Sequence, residues 1–341
     1  MEFNKNQKAV LATLLYSDIF DFPLTIDELH SNLIASPPYH SHTLLCHSRE
    51  GRRCPEGYGN PAPPKYKSES PIDINTLQKT LKSLHPVISE KKGFYCLAGK
   101  ENSIEKRIQR LKYANNKLKI AKNISKHLSH IPTIYFIGLT GRLAHNDADE
   151  NDDIDLFLIT KKNTMWTTRV AILAILELTN TRRKPNETNP ANKICANLII
   201  EETALHWPHE KHDIYTAHEI INMQPLFDRN NIYRKFLSSN NWISQFYPNH
   251  DSRLCHSREG RRCPEGYGNP APPKHNIIIN TINLLFTLPL TEFILEKLQR
   301  IYMKKKITNE TILTNFLAFH PHDYRQEILK NFTNKIKQYG L

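Results

Sequence analysis

Apolar positions recur at helical spacing near the start of the chain. Over residues 6–16, Val10, Leu11, Leu14 and Leu15 fall on one face and predict a first helix. In PLTIDELHSNLI, Thr25 stands three residues before Glu28, the spacing of a capping box, and opens a second helix. Ile74, Leu77, Leu81 and Leu84 line one face of a third, over 72–84. Two short runs, 87–89 and 93–97, flank a charged turn and predict a hairpin. The period then changes. TIYFIGLT, 133–140, is a β-rich apolar run that stops at Gly141, and LFLIT, 156–160, is a second. KICANLIIEE, 193–202, is a third, with Cys195, Asn197, Ile199 and Glu201 expected on one face. Between the last two, 164–179 predicts a strongly apolar helix packed on the sheet. Residues 213–249 predict helices with an aromatic seam, in which His218 and Glu219 have a structural role. The tail, 276–341, predicts helices, with Leu295, Leu298 and Tyr302 on one stripe and another starting near Pro321.

Two segments stand outside this pattern. LCHSREGRRCPEGYGNPAPPK occurs at 45–65 and again at 254–274 without a difference. Structural repeats come in arrays of three or more. This segment occurs twice, between unlike neighbours, and has neither helical nor strand period. It reads as loop and resembles a translated mobile DNA repeat inserted at two tolerant sites. Its Cys46, His47 and Cys54 (Cys255, His256 and Cys263 in the second copy) are spaced too widely for a structural zinc site, whose ligands pair two to four residues apart. The first copy lies between the second and third helices. Lengthening that turn costs about 2 kcal/mol of closure entropy, which a domain can absorb.

Charge adds a second layer. The chain carries 46 Lys and Arg against 34 acids, a net charge of +12, to which the two copies contribute +4. A basic excess favours polyanionic partners, although a Lys-rich, A/T-rich genome gives the same composition. No apolar run has the form of a signal peptide or the length to span a bilayer, so a cytoplasmic protein with no membrane partner is expected. Six cysteines are then expected reduced.

Negative charge is concentrated in one place. Asp147, Asp149, Glu150, Asp152, Asp153 and Asp155 crowd the mouth of the LFLIT strand. Asp153 and Asp155 point to one side of an extended chain, with Cα atoms about 6.6–6.8 Å apart. Two like charges held so close call for a cation, and carboxylates suit Mg²⁺. An EF-hand would use Asp147, Asp149, Asn151 and Asp153, but it needs Gly and Glu where the chain has Asp152 and Leu158.

An apolar strand, Gly141-Arg142, ten residues, then Asp153-Ile154-Asp155-Leu156 resembles the pattern of the nucleotidyltransferase superfamily related to polymerase β. The resemblance implies Asp153 and Asp155 as catalytic ligands of two Mg²⁺ ions and Gly141 as the turn whose backbone amides hold the phosphates of an NTP. It also implies a third carboxylate on a later strand, for which Glu201 is the nearest acid, with Asn197 as the other occupant. The family's Ser or Gly after the glycine is Arg142 here, which either binds phosphate or fills its place, and Thr140 would supply the missing hydroxyl. Arg182, Arg183 and Lys193 either steer an acidic substrate or form a solvated loop.

Three helices and a hairpin at the amino end resemble a winged-helix domain, and SDIFDFPLT is similar to winged-helix segments joined to such transferases in bacterial proteins. That implies a third helix able to enter the major groove of DNA through Asn75, Gln78, Lys79, Lys82 and Ser83, or a module for protein contacts. The implied class is α/β (α+β): a winged-helix domain over 1–100 with its insert at 36–70, and a connecting helix over 101–131. A transferase core with a mixed sheet follows over 132–250, then an insert over 251–275 and a helical region over 276–341. The implied activity is transfer of NMP from an NTP to a hydroxyl of RNA, protein or a small molecule. The alternative is a weak or inactive transferase fold acting as a regulator through DNA or protein binding.

Overall fold

The structure is a computed structural model, which describes residues 2–35, 71–184, 187–250, 289–304, 311–313, 315–318 and 324–341. Both copies of the repeated segment, Pro185 and residues 319–323 lie outside the described residues, so the readings made on them are not addressed.

The amino-terminal elements form where the apolar spacing predicts. Helix α1 (Lys5–Asp18) starts at Asn4, whose side chain and that of Gln7 satisfy each other's backbone amides. Residues 9–17 of α1 are all buried. Helix α2 (Ile26–Ser31) begins with the expected capping box: Glu28 N–H donates to Thr25 Oγ1, and Thr25 N–H to Glu28 Oε2 at 2.8 Å. Helix α3 (Ile74–Ser83) buries Leu77, Thr80 and Leu81. Strands β2 (Ile88–Lys91) and β3 (Phe94–Leu97) form the hairpin, closed by Lys92 and Gly93, both at positive φ, as a two-residue turn of type I′ requires. A strand not expected from the sequence, β1 (Leu24–Thr25), pairs with β3 and completes an antiparallel sheet of order β1-β3-β2. Helix α4 (Asn102–Leu128) leads onward.

The second sheet is mixed and has six strands, in the order β7-β4-β5-β6-β9-β8. Strand β4 (Ile134–Leu139) is antiparallel to β5 (Ile154–Thr160), and β5 is parallel to β6 (Ile194–Glu201). Helix α5 (Gly141–Ala144) follows β4, and helix α6 (Met165–Leu178) makes the β5–β6 crossover. Helices α7 (Ile214–Ile221) and α8 (Ile232–Ser239) follow β6.

Two sequence expectations need correction here. Residues 213–249 are not all helical: QPLFD is β7 (Gln224–Asp228), an edge strand with a register shift beside Pro225, both places where a sheet tolerates proline. Nor is the tail all helical. Between α9 (Pro289–Lys304) and α10 (Arg325–Gln338), β8 (Thr311–Ile312) and β9 (Phe316–Ala318) extend the sheet from β6. Strands of two or three residues are too short to display a period; pairing with β6 defines them.

Alternation along the strands divides the core. Ile154, Leu156 and Leu158 pack with α4, α6 and Met303 of α9. Phe157, Ile159, Leu198 and Ile200 belong to a second cluster that runs through α1–α3, α7, α8 and Phe332 of α10. The amino-terminal helices therefore share a core with one face of the six-stranded sheet.

Candidate functional site

The glycine turn and the Asp pair meet at the same ends of β4 and β5. Thr140 is extended and leads into Gly141, whose φ of +64° is a conformation that L side chains disfavour. Space is equally restrictive: a Cβ on Gly141 would sit 3.0 Å from Asp155 Oδ2. The Thr140 amide donates to the Asp155 carbonyl at 3.1 Å. Asp155 thus lies against the turn, as the spacing in the sequence anticipates.

Asp155 is held in a setting that opposes its charge. Burial, and then the Asp153 carboxylate, push it up to about 8, while Arg183 pulls the other way. Asp153 accepts a hydrogen bond from Arg183 Nη1 at 2.5 Å. Arg183 is held there by the backbone, its amide donating to Ile194 O at 3.0 Å, at the start of β6. Cys195 pairs with Asp155 in the strand register, and its thiol is pushed up by burial and by both aspartates. Donor atoms of Asp153, Asp155 and Cys195 lie within 4.8 Å of one another, a group able to hold a metal ion.

The side chain that reaches Asp155 from β6 is Asn197, whose Nδ2 donates to Asp155 Oδ1 at 2.7 Å. Glu201, expected beside the pair, does not reach it. The register slips between Asp155–Cys195 and Phe157–Leu198, so two residues of β6 stand opposite one of β5. Beyond that bulge the faces exchange: Leu198 and Ile200 continue the face of Asn197, while Ile199 packs on the opposite side. Glu201 pairs with Thr160 at the far end of β5 and accepts hydrogen bonds from the backbone of Asn163, Thr164 and Met165 at the start of α6.

Arg142 lies at the cavity wall beside the turn, but its guanidinium is engaged elsewhere. It turns into the acidic loop and pairs with Asp147 at 3.2 Å, Asp149 at 2.6 Å and Asp152 at 3.1 Å. Arg110 of α4 adds contacts to Asp147 at 3.5 Å and Asp149 at 3.1 Å. Lys117, also on α4 and 1% exposed, donates to Glu150 O, Asp152 O and Asn192 Oδ1. The crowded carboxylates therefore divide into two sets: Asp147, Asp149 and Asp152 fasten the loop through arginines, while Asp153 and Asp155 remain at the strand mouth. Asp147 and Asp149 face guanidinium groups, which an EF-hand arrangement would not allow.

A cavity of about 820 Å³ opens in front of Asp155. Gly141, Arg183 and Asn197 line one side, and Tyr16, Phe20 and Phe22 from α1 and the segment after it line another. His145, His218 and Glu219 also face it. Burial pushes Glu219 up to about 7, and a hydrogen bond from the Gly141 backbone pulls it back. The sequence offered Arg183 as one of two readings of a basic loop and Cys195 as a neighbour of Asn197, but it carried no local sign that Glu219, read as structural, would face the same cavity. Set against known proteins, the chain matches no family model, no curated protein and no solved structure.

Among the described residues, no helix is long and apolar enough to cross a membrane, and Cys96 and Cys195 are free thiols.

Proposed function

We propose that the chain is a Mg²⁺-dependent nucleotidyltransferase that moves NMP from an NTP to a hydroxyl acceptor and releases pyrophosphate. One observation carries the reading: a positive-φ glycine turn in contact with the second carboxylate of an Asp-Ile-Asp strand, at the wall of a large cavity.

The donors present fit a hard divalent cation. Asp153 and Asp155 supply carboxylate oxygens, and Asn197 Oδ1 is buried and without a partner. Burial and the two aspartates push the neighbouring Cys195 thiol up, which favours the carboxylate oxygens as the charged donors. When bound at Asp153 and Asp155, Mg²⁺ supplies charge neutralisation for the phosphates and the attacking hydroxyl. Around it the chain's own groups have distinct tasks. Gly141 sets the turn against Asp155, and its backbone N–H, which donates to Glu219 in this structure, is the amide a phosphate oxygen would compete for. Arg183, at the mouth beside Asp153, is the cation available to a phosphate oxygen. Thr140 holds the backbone of Asp155, and Arg142 holds the acidic loop open through its three carboxylates.

The amino-terminal helices and hairpin support a winged-helix reading. Asn75, Gln78, Lys79, Lys82 and Ser83 are all exposed on α3 and suit contact with DNA or a protein partner. The acceptor classes remain RNA, a protein side chain or a small molecule.

A second reading rests on Asn197. An amide, not a carboxylate, touches Asp155, which leaves two acids at the site and favours a nucleotide-binding regulator of low turnover.

The test is thermal unfolding with each of four NTPs, with and without Mg²⁺, together with pyrophosphate release. The same measurements are made on an Asp153→Asn, Asp155→Asn double variant. Ligand at 100 times its Kd adds about 2.7 kcal/mol. A Mg²⁺-dependent stabilisation by one NTP, abolished in the variant, is expected. Stabilisation without pyrophosphate release in the presence of candidate acceptors would select the regulator. No stabilisation by any NTP in a folded chain would remove the donor site altogether.

A further inference from the structure

A second set of metal-binding side chains faces the same cavity and has no task in the proposed transfer. His145 caps α5, and His218 and Glu219 are adjacent on α7. Their donor atoms lie within 4.8 Å of one another. The two imidazoles are stacked, with centroids 4.8 Å apart and planes 14° from parallel, so a shared ion requires one ring to turn until both in-plane lone pairs converge. Tyr16, Phe20 and Phe22 enclose them: Tyr16 lies 5.0 Å from His218, Phe20 stacks on it at 6.4 Å, and Phe22 meets His145 edge-on at 5.6 Å.

Both histidine side chains are half-buried at the cavity wall. Neither imidazole has a hydrogen-bond partner among the described residues. Burial pushes His145 down to about 4, and it pushes His218 well below the usual range, each with help from a nearby cation or imidazole. Neutral imidazole is the form that binds a metal. Arg107, a cation that acts on His145, is ion-paired to Glu28, so its charge is compensated.

We infer that His145, His218 and Glu219 form a binding site for a borderline divalent transition metal of the Zn²⁺ or Co²⁺ type, distinct from the Asp153–Asp155 pair. Two imidazole nitrogens and one carboxylate oxygen suit such ions and not Mg²⁺ or Ca²⁺, which prefer all-oxygen sites. Three protein ligands leave a coordination position open toward the cavity, as in sites where metals act on a substrate and unlike closed structural sites. Glu219 also accepts from the Gly141 backbone, the outer hydrogen bond that typically orients a ligating carboxylate. The site does not depend on the transferase reading, because its ligands and the Asp pair are separate residues.

The experiment is titration of the full, metal-free chain with Co²⁺, followed by visible d–d absorption and by metal content after desalting. The wild type and the Asp153→Asn, Asp155→Asn variant are expected to retain one Co²⁺ per chain with a low-symmetry visible band. His218→Gln and Glu219→Gln each remove a ligand and are expected to weaken binding by more than the roughly 10–100-fold that loss of an outer hydrogen-bond partner costs. Unfolding curves without metal show that each variant is folded, and His145→Gln replaces His218→Gln if that variant is not. Three results overturn the inference. The wild type retains no Co²⁺; or retention is unchanged in both ligand variants; or it is lost in His209→Gln or the Asp variant instead, which would assign the ion to surface histidines or to the Asp pair.

Discussion

At the scale of the residue, Gly141 carries the most constraint. Its φ is +64°, and a Cβ would stand 3.0 Å from Asp155 Oδ2. Substitution by alanine adds about 1–2 kcal/mol of left-handed strain and pushes the Asp155 carboxylate away from the turn. Gly141→Ala is therefore expected to lower stability by about that amount and to reduce NTP-dependent stabilisation further than the strain alone explains. Unfolding curves with and without Mg²⁺–NTP separate the two effects; an unchanged response to NTP would mean the turn does not hold phosphate. Gly141, Asp153 and Asp155 were legible in the sequence because a turn and a two-residue period are local properties. Asn197 and Glu201 could not be told apart, since a bulge in β6 moves Glu201 to the other face. The arginines were harder still. Arg142 is adjacent to the turn in sequence yet points into the acidic loop, and Arg183 arrives from a distant segment to meet Asp153.

At the scale of the element, α4 does more than connect. In the sequence it reads only as a connecting helix, yet Lys117 is buried and its ammonium donates to Glu150 O at 2.9 Å, Asp152 O at 2.7 Å and Asn192 Oδ1 at 3.1 Å. Burial lowers its pKa, and the surrounding acids oppose that effect. Together with Arg110, it fixes the loop that delivers Asp153 to the strand mouth. Lys117→Met keeps the apolar stem and removes all three donors. It is expected to cost about 2–3 kcal/mol, because buried acceptors are left unpaired, and to expose residues 149–152 to limited proteolysis. Wild-type stability and resistance in that variant would show the loop to be held by Arg142 and Arg110 alone. Elements with a long period or a capping box, α1 to α4 and α6, could be read from the sequence. Strands β1, β7, β8 and β9 could not, because each is short and exists through the strand it pairs with.

At the scale of the whole molecule, both ends of the first connection that carries the repeated segment meet the start of the second. The Asn249 side chain accepts from Ile72 N–H and donates to Ile72 O, both at 2.8 Å, and the Ala35 amide donates to Phe246 O at 2.7 Å. The chain leaves at Ala35, returns before Ile72 and leaves again after Asn249, all against the apolar cluster that α1–α3 share with the sheet. Such anchoring explains how a fold can carry two long connections: the ends are already fixed, and length alone is a weak penalty. Removing either copy shortens its connection by slightly more than half, worth about 0.7 kcal/mol at ~0.6 kcal/mol per doubling. A chain lacking both 45–65 and 254–274 is therefore expected to fold cooperatively, with stability about 1–1.5 kcal/mol higher and its response to Mg²⁺–NTP retained. It would also lose +4 of its +12 charge, so any nucleic-acid binding that survives at unchanged salt dependence belongs to the fold and not to the copies. Loss of the cooperative transition on deletion would show instead that the copies have become part of the packed structure.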